Sequence, residues 1–314
     1  MQKLIELKKR MRTVSNIRTV TSTLATVSSA KLSRTRRHAA GMREYAESMR
    51  RVLQRQQGYL EELNPRQLAA ISPYFAKHEP VRTITLLHIT ADRGMCGNYN
   101  QVANRLGLEF AERRSAGGQQ LSVIAKGLKG ERYMRRKSTC EIVHAEGWTR
   151  AGVAEEDVTH LYELCTGRFL DGQADEVWCL YTRFHSPMKR TPRLVRLLPV
   201  AAERIAPASE RARPPQRWAY EPSFEEIVDE LVAMFVRIQI EDVLLESYAS
   251  EQGARMVTME EASERADKSL HEMRMRFNRL RREVITTDLI GVLFASQVRT
   301  EEEQRTAEMQ TEES

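Results

Sequence analysis

The residues whose types and spacing come closest to a chemical motif are Asp92-Arg93-Gly94-Met95-Cys96-Gly97-Asn98. Glycines at 94 and 97 would let backbone N–H groups face a phosphate at a helix start, with Arg93 beside it. The run is not GxGxxG, and no G-x-x-x-x-G-K-S/T occurs anywhere. The stronger reading is a tight strand-to-helix turn serving as a contact loop through Asp92, Arg93, Gly94 and Cys96. Cys96 as a nucleophile would need a neighbouring base, and the sequence places none nearby. The seven histidines form no HxxxH or HxH pair, so no metal site is expected, and no cofactor. Glu225-Glu226 and Glu260-Glu261 stand among arginines on helical stretches, where a solvated face is the default. Lys31, Arg34, Arg36 and Arg37 make a basic cluster open to three readings: nucleic acid, an acidic protein surface, or plain solvation.

The elements that must carry these residues are set by where the helix breakers fall. The chain has 314 residues, with 15 Gly and 10 Pro. All prolines lie between Pro65 and Pro222, and most glycines between Gly94 and Gly172, so both terminal segments are nearly free of breakers. In residues 1–63, Leu4, Leu7, Met11, Val14, Ile17, Thr21, Leu24 and Ser28 recur in steps of three and four, a helical stripe near heptad spacing. Pro222 followed by Ser223-Phe224-Glu225-Glu226 opens a second helix with a capping-box pattern. Its stripe runs through Ile227, Leu231, Met234 and Ile238, then Ala266, Leu270, Met273, Phe277, Leu280 and Val284. Neither stripe is wide enough for a globular helix, so the two are expected to pair as a long antiparallel coiled coil, with the longer C-terminal helix protruding. From Val284 to Val298 the sequence carries Asp288 as its single charge and is too short to span a bilayer, so it calls for burial in another protein.

The middle alternates strand and helix, with strands near 83–90, 121–125, 140–144, 177–184 and 194–200. This pattern predicts an α/β fold in which a Rossmann-like domain is inserted between the long helices. The expected boundaries are 1–63 for the first helix, 75–205 for the α/β domain, 206–222 for a linker, 223–299 for the second helix and 300–314 for an acidic, disordered tail. Cys96, Cys140, Cys165 and Cys179 show no paired spacing, which fits a reducing compartment. Lys3, Lys8, Lys9 and Arg10 are not followed by an apolar run, so no secretory signal is expected. The net charge of +6 is segregated: the first helix is basic, the second and the tail acidic. The basic helix is therefore expected beside the acidic one.

Several ordered motifs resemble the gamma subunit of F-type ATP synthases over nearly the whole chain, to about Val298. They are Leu7-Lys8-Lys9-Arg10-Met11-Arg12-Thr13-Val14-Ser15-Asn16-Ile17-Arg18-Thr19-Val20-Thr21, Ser28-Ser29-Ala30-Lys31-Leu32, Tyr45-Ala46-Glu47, Thr90-Ala91-Asp92-Arg93-Gly94-Met95-Cys96-Gly97, Trp218 to Ser223, and Ala249-Ser250-Glu251-Gln252-Gly253-Ala254-Arg255-Met256-Val257-Thr258-Met259. The resemblance implies a non-catalytic rotor shaft in a ring of alpha and beta subunits. Its foot would meet the epsilon subunit and the membrane c-ring, on the cytoplasmic face of a bacterial inner membrane. It implies shaft contacts at Thr21, Leu24, Val27, Lys31, Arg34, Arg255, Met256 and Met259, and a bearing at Ile285, Thr286, Asp288, Leu289 and Leu293. Arg36 and Arg37, with Arg34, would face acidic segments of beta. The chain departs from the family at Thr19 to Val27, where two lysines and two methionines are lost, and at Ile285 to Ser296. Two other classes stand beside this reading: a basic coiled-coil nucleic-acid-binding protein, and a nucleotide-binding enzyme built on residues 75–205.

Overall fold

The computed structural model describes residues 2–149, 151–201 and 223–312, except for the side chains at 43, 50, 52–62, 65, 295, 298 and 300–312. The expected linker 206–222 lies outside the described residues. Two long helices, α1 (Gln2–Glu62) and α6 (Phe224–Glu312), enclose the sequence of the central elements. These are α2 (Pro65–Ile71), β1 (Thr83–Ile89), α3 (Tyr99–Ala116), β2 (Gln120–Lys126), α4 (Leu128–Lys137), β3 (Glu141–Glu146), α5 (Glu155–Leu170), β4 (Glu176–Phe184) and β5 (Arg190–Leu198). Asn64 opens α2 with a complete capping box, and the Ser223 hydroxyl accepts from the Glu226 N–H at 3.2 Å at the start of α6. The chain divides into two compact units: Met1–Thr23 with Glu260–Ser314, and Leu24–Met259.

The first unit is an antiparallel helix pair. Thr21, Ala266 and Leu270 are buried on its seam, while Leu4, Leu7, Met11, Val14, Met273, Phe277, Leu280 and Val284 are half-buried. Arg18 Nε lies 2.6 Å from Asp267 Oδ1 across the pair. Ile17, expected on the seam, is half-exposed. Heptad steps from Val14 lead to position 18 rather than 17, and Arg18, itself half-exposed, has an ionic partner across the pair. The tail from Thr300, expected to be disordered, continues α6 to Glu312 instead. No proline or glycine follows Gly291, and Glu, Gln, Arg, Ala and Met all favour helix.

The second unit is built on a five-stranded sheet in the order β3-β2-β1-β4-β5, parallel except for the antiparallel β4–β5 hairpin. β1 and β2 are buried almost throughout, as expected for strands covered on both faces. One face packs Ile84, Leu86, Val123 and Ala125 against Phe110 and Ala111 of α3 and Met134 of α4. The other packs Leu87, Ile89, Ile124, Val177 and Cys179 with Leu161 and Phe169 of α5 and Val228 to Leu244 of α6. The turn from β2 into α4 needs glycine: Gly127 has φ +107°, and a Cβ there would collide with the Thr90 carbonyl. Within this unit α1 continues the heptad seam through Ala25, Ser28, Leu32 and Thr35, all buried. Its antiparallel course against α6 is marked by His38 Nε2 with Glu241 Oε1 at 3.2 Å and by the Tyr45 hydroxyl donating to Met234 Sδ at 2.9 Å.

Candidate partner-contact site

The Asp92–Gly97 run leaves the end of β1 and turns inward onto α6. Asp92 acts as a hub: Oδ1 accepts from the Leu128 N–H at 3.0 Å and Oδ2 from the Trp148 N–H at 2.8 Å. The chain's own carboxylate thus occupies the N-terminus of α4, one of the places where a doubly wound fold can hold an anion. Ala91, Cys96 and Tyr99 pack with Ala254 of α6 as a small buried cluster. The Tyr99 hydroxyl meets Ser247 Oγ at 2.7 Å, and the Ser250 hydroxyl donates to the Thr182 carbonyl at 2.9 Å. A Cβ at Gly97 would stand 3.1 Å from Thr258 Oγ1. The turn after β1, where such folds receive a nucleotide phosphate, is therefore filled by α6.

Burial also settles the chemistry of Cys96. Loss of water around the sulfur raises its pKa, against the opposing charge of Arg255, so the thiol stays protonated. Burial and the raised pKa both work against the nucleophile reading. Beside it sits a buried ion pair one helical turn long, with Arg255 Nη1 2.7 Å from Glu251 Oε1. Arg255 Nη2 also donates to the Gly94 carbonyl at 3.4 Å. Burial raises the Glu251 pKa, and Arg255 pulls it back. Among the described residues the other carboxylate oxygen of Glu251 is buried without a hydrogen-bond partner. Gly253 lets this stretch of α6 approach the β4–β5 hairpin, since a Cβ would lie 3.2 Å from Phe184 Cε2 and 3.4 Å from Pro187 Cα.

The residues expected to face partners divide accordingly. Thr21 and Met259 are turned inward, 9% and 5% exposed, because heptad seam positions are occupied by the helix pairing itself. Arg255 and Asp92 are committed to internal bonds, and Cys96 is buried. Leu24, Lys31 and Met256 are half-buried, whereas Val27 and Arg34 are exposed. In the contact loop Arg93 is exposed and Gly94 half-buried; Met95, absent from the sequence-based selection, projects at 54% exposure with a positive φ of 61°. Arg36 lies over the Phe184 ring at 5.9 Å. In the other unit Ile285, Thr286, Asp288, Leu289 and Leu293 are all exposed, joined by Ile290, Val292 and Phe294. They form an apolar helix surface, and among the described residues no helix is long and apolar enough to cross a membrane.

A family model described as ATP synthase matches residues 3–296. Curated relatives include the ATP synthase gamma chain of Geobacter sp. (strain M21), 31% identical over 297 residues, covering 95% of this chain and 99% of the relative. The ATP synthase gamma chain of Geotalea daltonii is 32% identical over 298 residues, covering 93% and 97%. This chain belongs to the ATP synthase gamma-chain family. In fold it is similar to a chain of the Euglena gracilis mitochondrial ATP synthase OSCP/F1/c-ring structure, with TM-score 0.62, 14% identity, and coverage of 95% of this chain and 94% of that one. It is also similar to a chain of the Tetrahymena thermophila mitochondrial ATP synthase central stalk/c-ring structure, with TM-score 0.58, 19% identity and coverage of 78% and 99%. In this chain the Asp92-Arg93-Gly94 loop and the Ala249–Met259 stretch meet, and one seats the other.

Two features of the second unit escaped the sequence reading. Ser247 and Tyr248 of α6, which meet Tyr99 at the start of α3 and the Trp148 ring at 5.1 Å, carry no motif. His144, Glu146 and His160 come together between β3 and α5, although the histidines are sixteen positions apart. The signal available was the alternation His144-x-Glu146, which places both side chains on one face of a strand.

Proposed function

We propose that this chain is the central-stalk rotor subunit of an F-type ATP synthase. It transmits torque between a membrane c-ring and the catalytic alpha and beta subunits and performs no chemistry itself. The observation that carries this reading is the exposed apolar surface Ile285 to Phe294 on α6, in a chain of the gamma family. Large apolar side chains contiguous on a helix surface are stabilised by burial, and a ring of partner subunits supplies it. Full or partial exposure supports a finer assignment of contacts. Leu24, Val27, Lys31, Arg34 and Met256 serve as shaft contacts to alpha and beta, and Arg93, Gly94 and Met95 as the accessible part of the contact loop. Ile285, Thr286, Asp288, Leu289 and Leu293 form the bearing. Thr21, Met259 and Arg255 support these surfaces from within. The epsilon subunit meets the α/β unit, and the whole assembly sits peripherally on the cytoplasmic face of a bacterial inner membrane, coupling ATP synthesis to ion transport.

The test is assembly and coupling. Tagged full-length chain is expected to co-purify with alpha and beta subunits from its host. Deleting residues 284–314 is expected to weaken ATP-driven ion pumping in membrane vesicles more than it weakens assembly. Failure to recover alpha and beta would overturn the rotor reading, and unchanged pumping would overturn the bearing.

A further inference from the structure

We infer that His144, Glu146 and His160 form a binding site for a divalent transition-metal ion that clips the edge strand β3 to α5. His144 and Glu146 alternate on one face of β3, and His160 projects from the facing turn of α5. Their donor atoms all lie within 4.8 Å of one another. His144 Nε2 is 3.3 Å from Glu146 Oε2, and the two imidazole rings are 4.9 Å apart at 57°. Zinc bonds of about 2.1 Å in tetrahedral geometry require donors about 3.4 Å apart, so closure asks for rotamer shifts of about 1 Å. His160 is exposed and makes no hydrogen bond among the described residues, which leaves its ring free to make that shift.

The surroundings are arranged as metal sites require. Lys126, fully buried, donates from Nζ to Glu146 Oε1 at 2.9 Å and to the Gly147 carbonyl at 3.0 Å, and lies 2.9 Å from Asp157 Oδ1. It fixes the Glu146 carboxylate with one oxygen occupied and the other turned toward His144, the outer-shell orientation that tunes a ligand. Asp157 offsets the lysine charge. Glu156 and Glu163, four residues before and three after His160, line the same open cleft on α5. Its field is therefore negative, which favours a cation there. Two imidazoles and a carboxylate suit zinc, cobalt or nickel better than magnesium or calcium, which prefer all-oxygen cages. β3 pairs on one side only, with β2, so a cross-link to α5 would hold a sheet edge that has no second strand.

Chelator-stripped full-length chain would be titrated with Co2+, read by its visible absorption, and with Zn2+, read by thermal melting. One equivalent of Co2+ is expected to give the spectrum of a low-coordinate nitrogen and oxygen site, displaced by Zn2+, and Zn2+ is expected to raise the melting temperature. His144→Ala and His160→Ala should each weaken binding at least ~10-fold and remove the thermal shift, as outer-shell losses alone cost roughly 10–100-fold. His160→Ala tests the site in a folded chain, because the ring is exposed and its metal-free melting should match the parent. His185→Ala, outside the cluster, should change nothing. An absent cobalt spectrum would overturn the proposal and leave a simple His144–Glu146 hydrogen bond. So would binding undiminished in the double histidine variant.

Discussion

At the scale of single residues the chain invests most in holding α6 against the sheet. Arg255 pairs with a carboxylate buried beside it, so removing the arginine leaves Glu251 buried without its cation. Arg255→Met is expected to cost ~3–5 kcal/mol of unfolding free energy, while the double replacement Glu251→Gln with Arg255→Met recovers most of it. Urea unfolding of both variants measures the difference, and equal destabilisation would show the pair to be dispensable. His88 supplies a pH-dependent term. It is fully buried, and burial lowers its pKa to about 4, against the smaller opposing effect of the Asn104 hydrogen bond. Its folded pKa lies below its unfolded value of about 6.5, so the unfolded chain binds the extra proton first. Its contribution is complete above pH ~6.5 and is lost as pH falls toward 4, at up to ~1.4 kcal/mol per pH unit. His88→Gln is expected to flatten the acid side of the stability profile by about one proton. None of these couplings was legible in sequence, since Glu251, Arg255 and Cys96 read as a surface motif until the helix burying them was placed.

At the scale of elements, heptad spacing and breaker distribution foretold both long helices, and alternating apolar runs foretold the strands of the sheet. The seam register was half right. The stripe through Leu4 to Val14 holds, but Ile17 is half-exposed and Ala25 rather than Leu24 is buried, because a 3–4 repeat admits two adjacent apolar lanes until a partner selects one. In the unselected lane Ile17, Val20 and Val27 are exposed and Leu24 is half-buried. In the tail the helix propensity of Glu, Gln, Arg, Ala and Met prevails over an acidic, polar composition that by itself predicts disorder. The sheet's own weak point is the turn from β2 into α4. Gly127→Ala is expected to cost about 3 kcal/mol or more, from a positive φ and a collision with the Thr90 carbonyl, and chemical denaturation reads it directly. On the bearing, Leu289→Glu with Leu293→Glu should leave the thermal stability of the isolated chain within about 0.5 kcal/mol, since both side chains are exposed, and should reduce coupled pumping.

At the scale of the whole molecule the two units differ in how they are stabilised. The Leu24–Met259 unit has a sheet buried on both faces. The helix pair of 2–23 and 260–312 has a seam that is mostly half-exposed, with full burial at Thr21, Ala266 and Leu270 among the described residues. Its local opening free energy should therefore be low. Hydrogen exchange is expected to be fast across that pair in the isolated chain and slow in β1, β2 and β4, with the pair becoming protected once alpha and beta subunits enclose it. Persistent fast exchange in the complex would contradict the shaft role. The charge segregation visible in the sequence keeps its meaning at this scale: basic and acidic helices pair, as Arg18 with Asp267 and His38 with Glu241 each show within its unit.

By itself the sequence determined the two breaker-free helices, the α/β middle, the absence of a phosphate-binding glycine signature and the family motifs, because periodicity, proline and glycine placement and ordered motifs are properties of the chain read in one dimension. Only the tertiary structure decided which face of each helix is spent internally, that the Asp92 loop seats α6 rather than a nucleotide, and that His144, Glu146 and His160 meet. Those outcomes depend on burial and on distances between residues far apart in sequence, and the energies that fix them arise when separate elements pack.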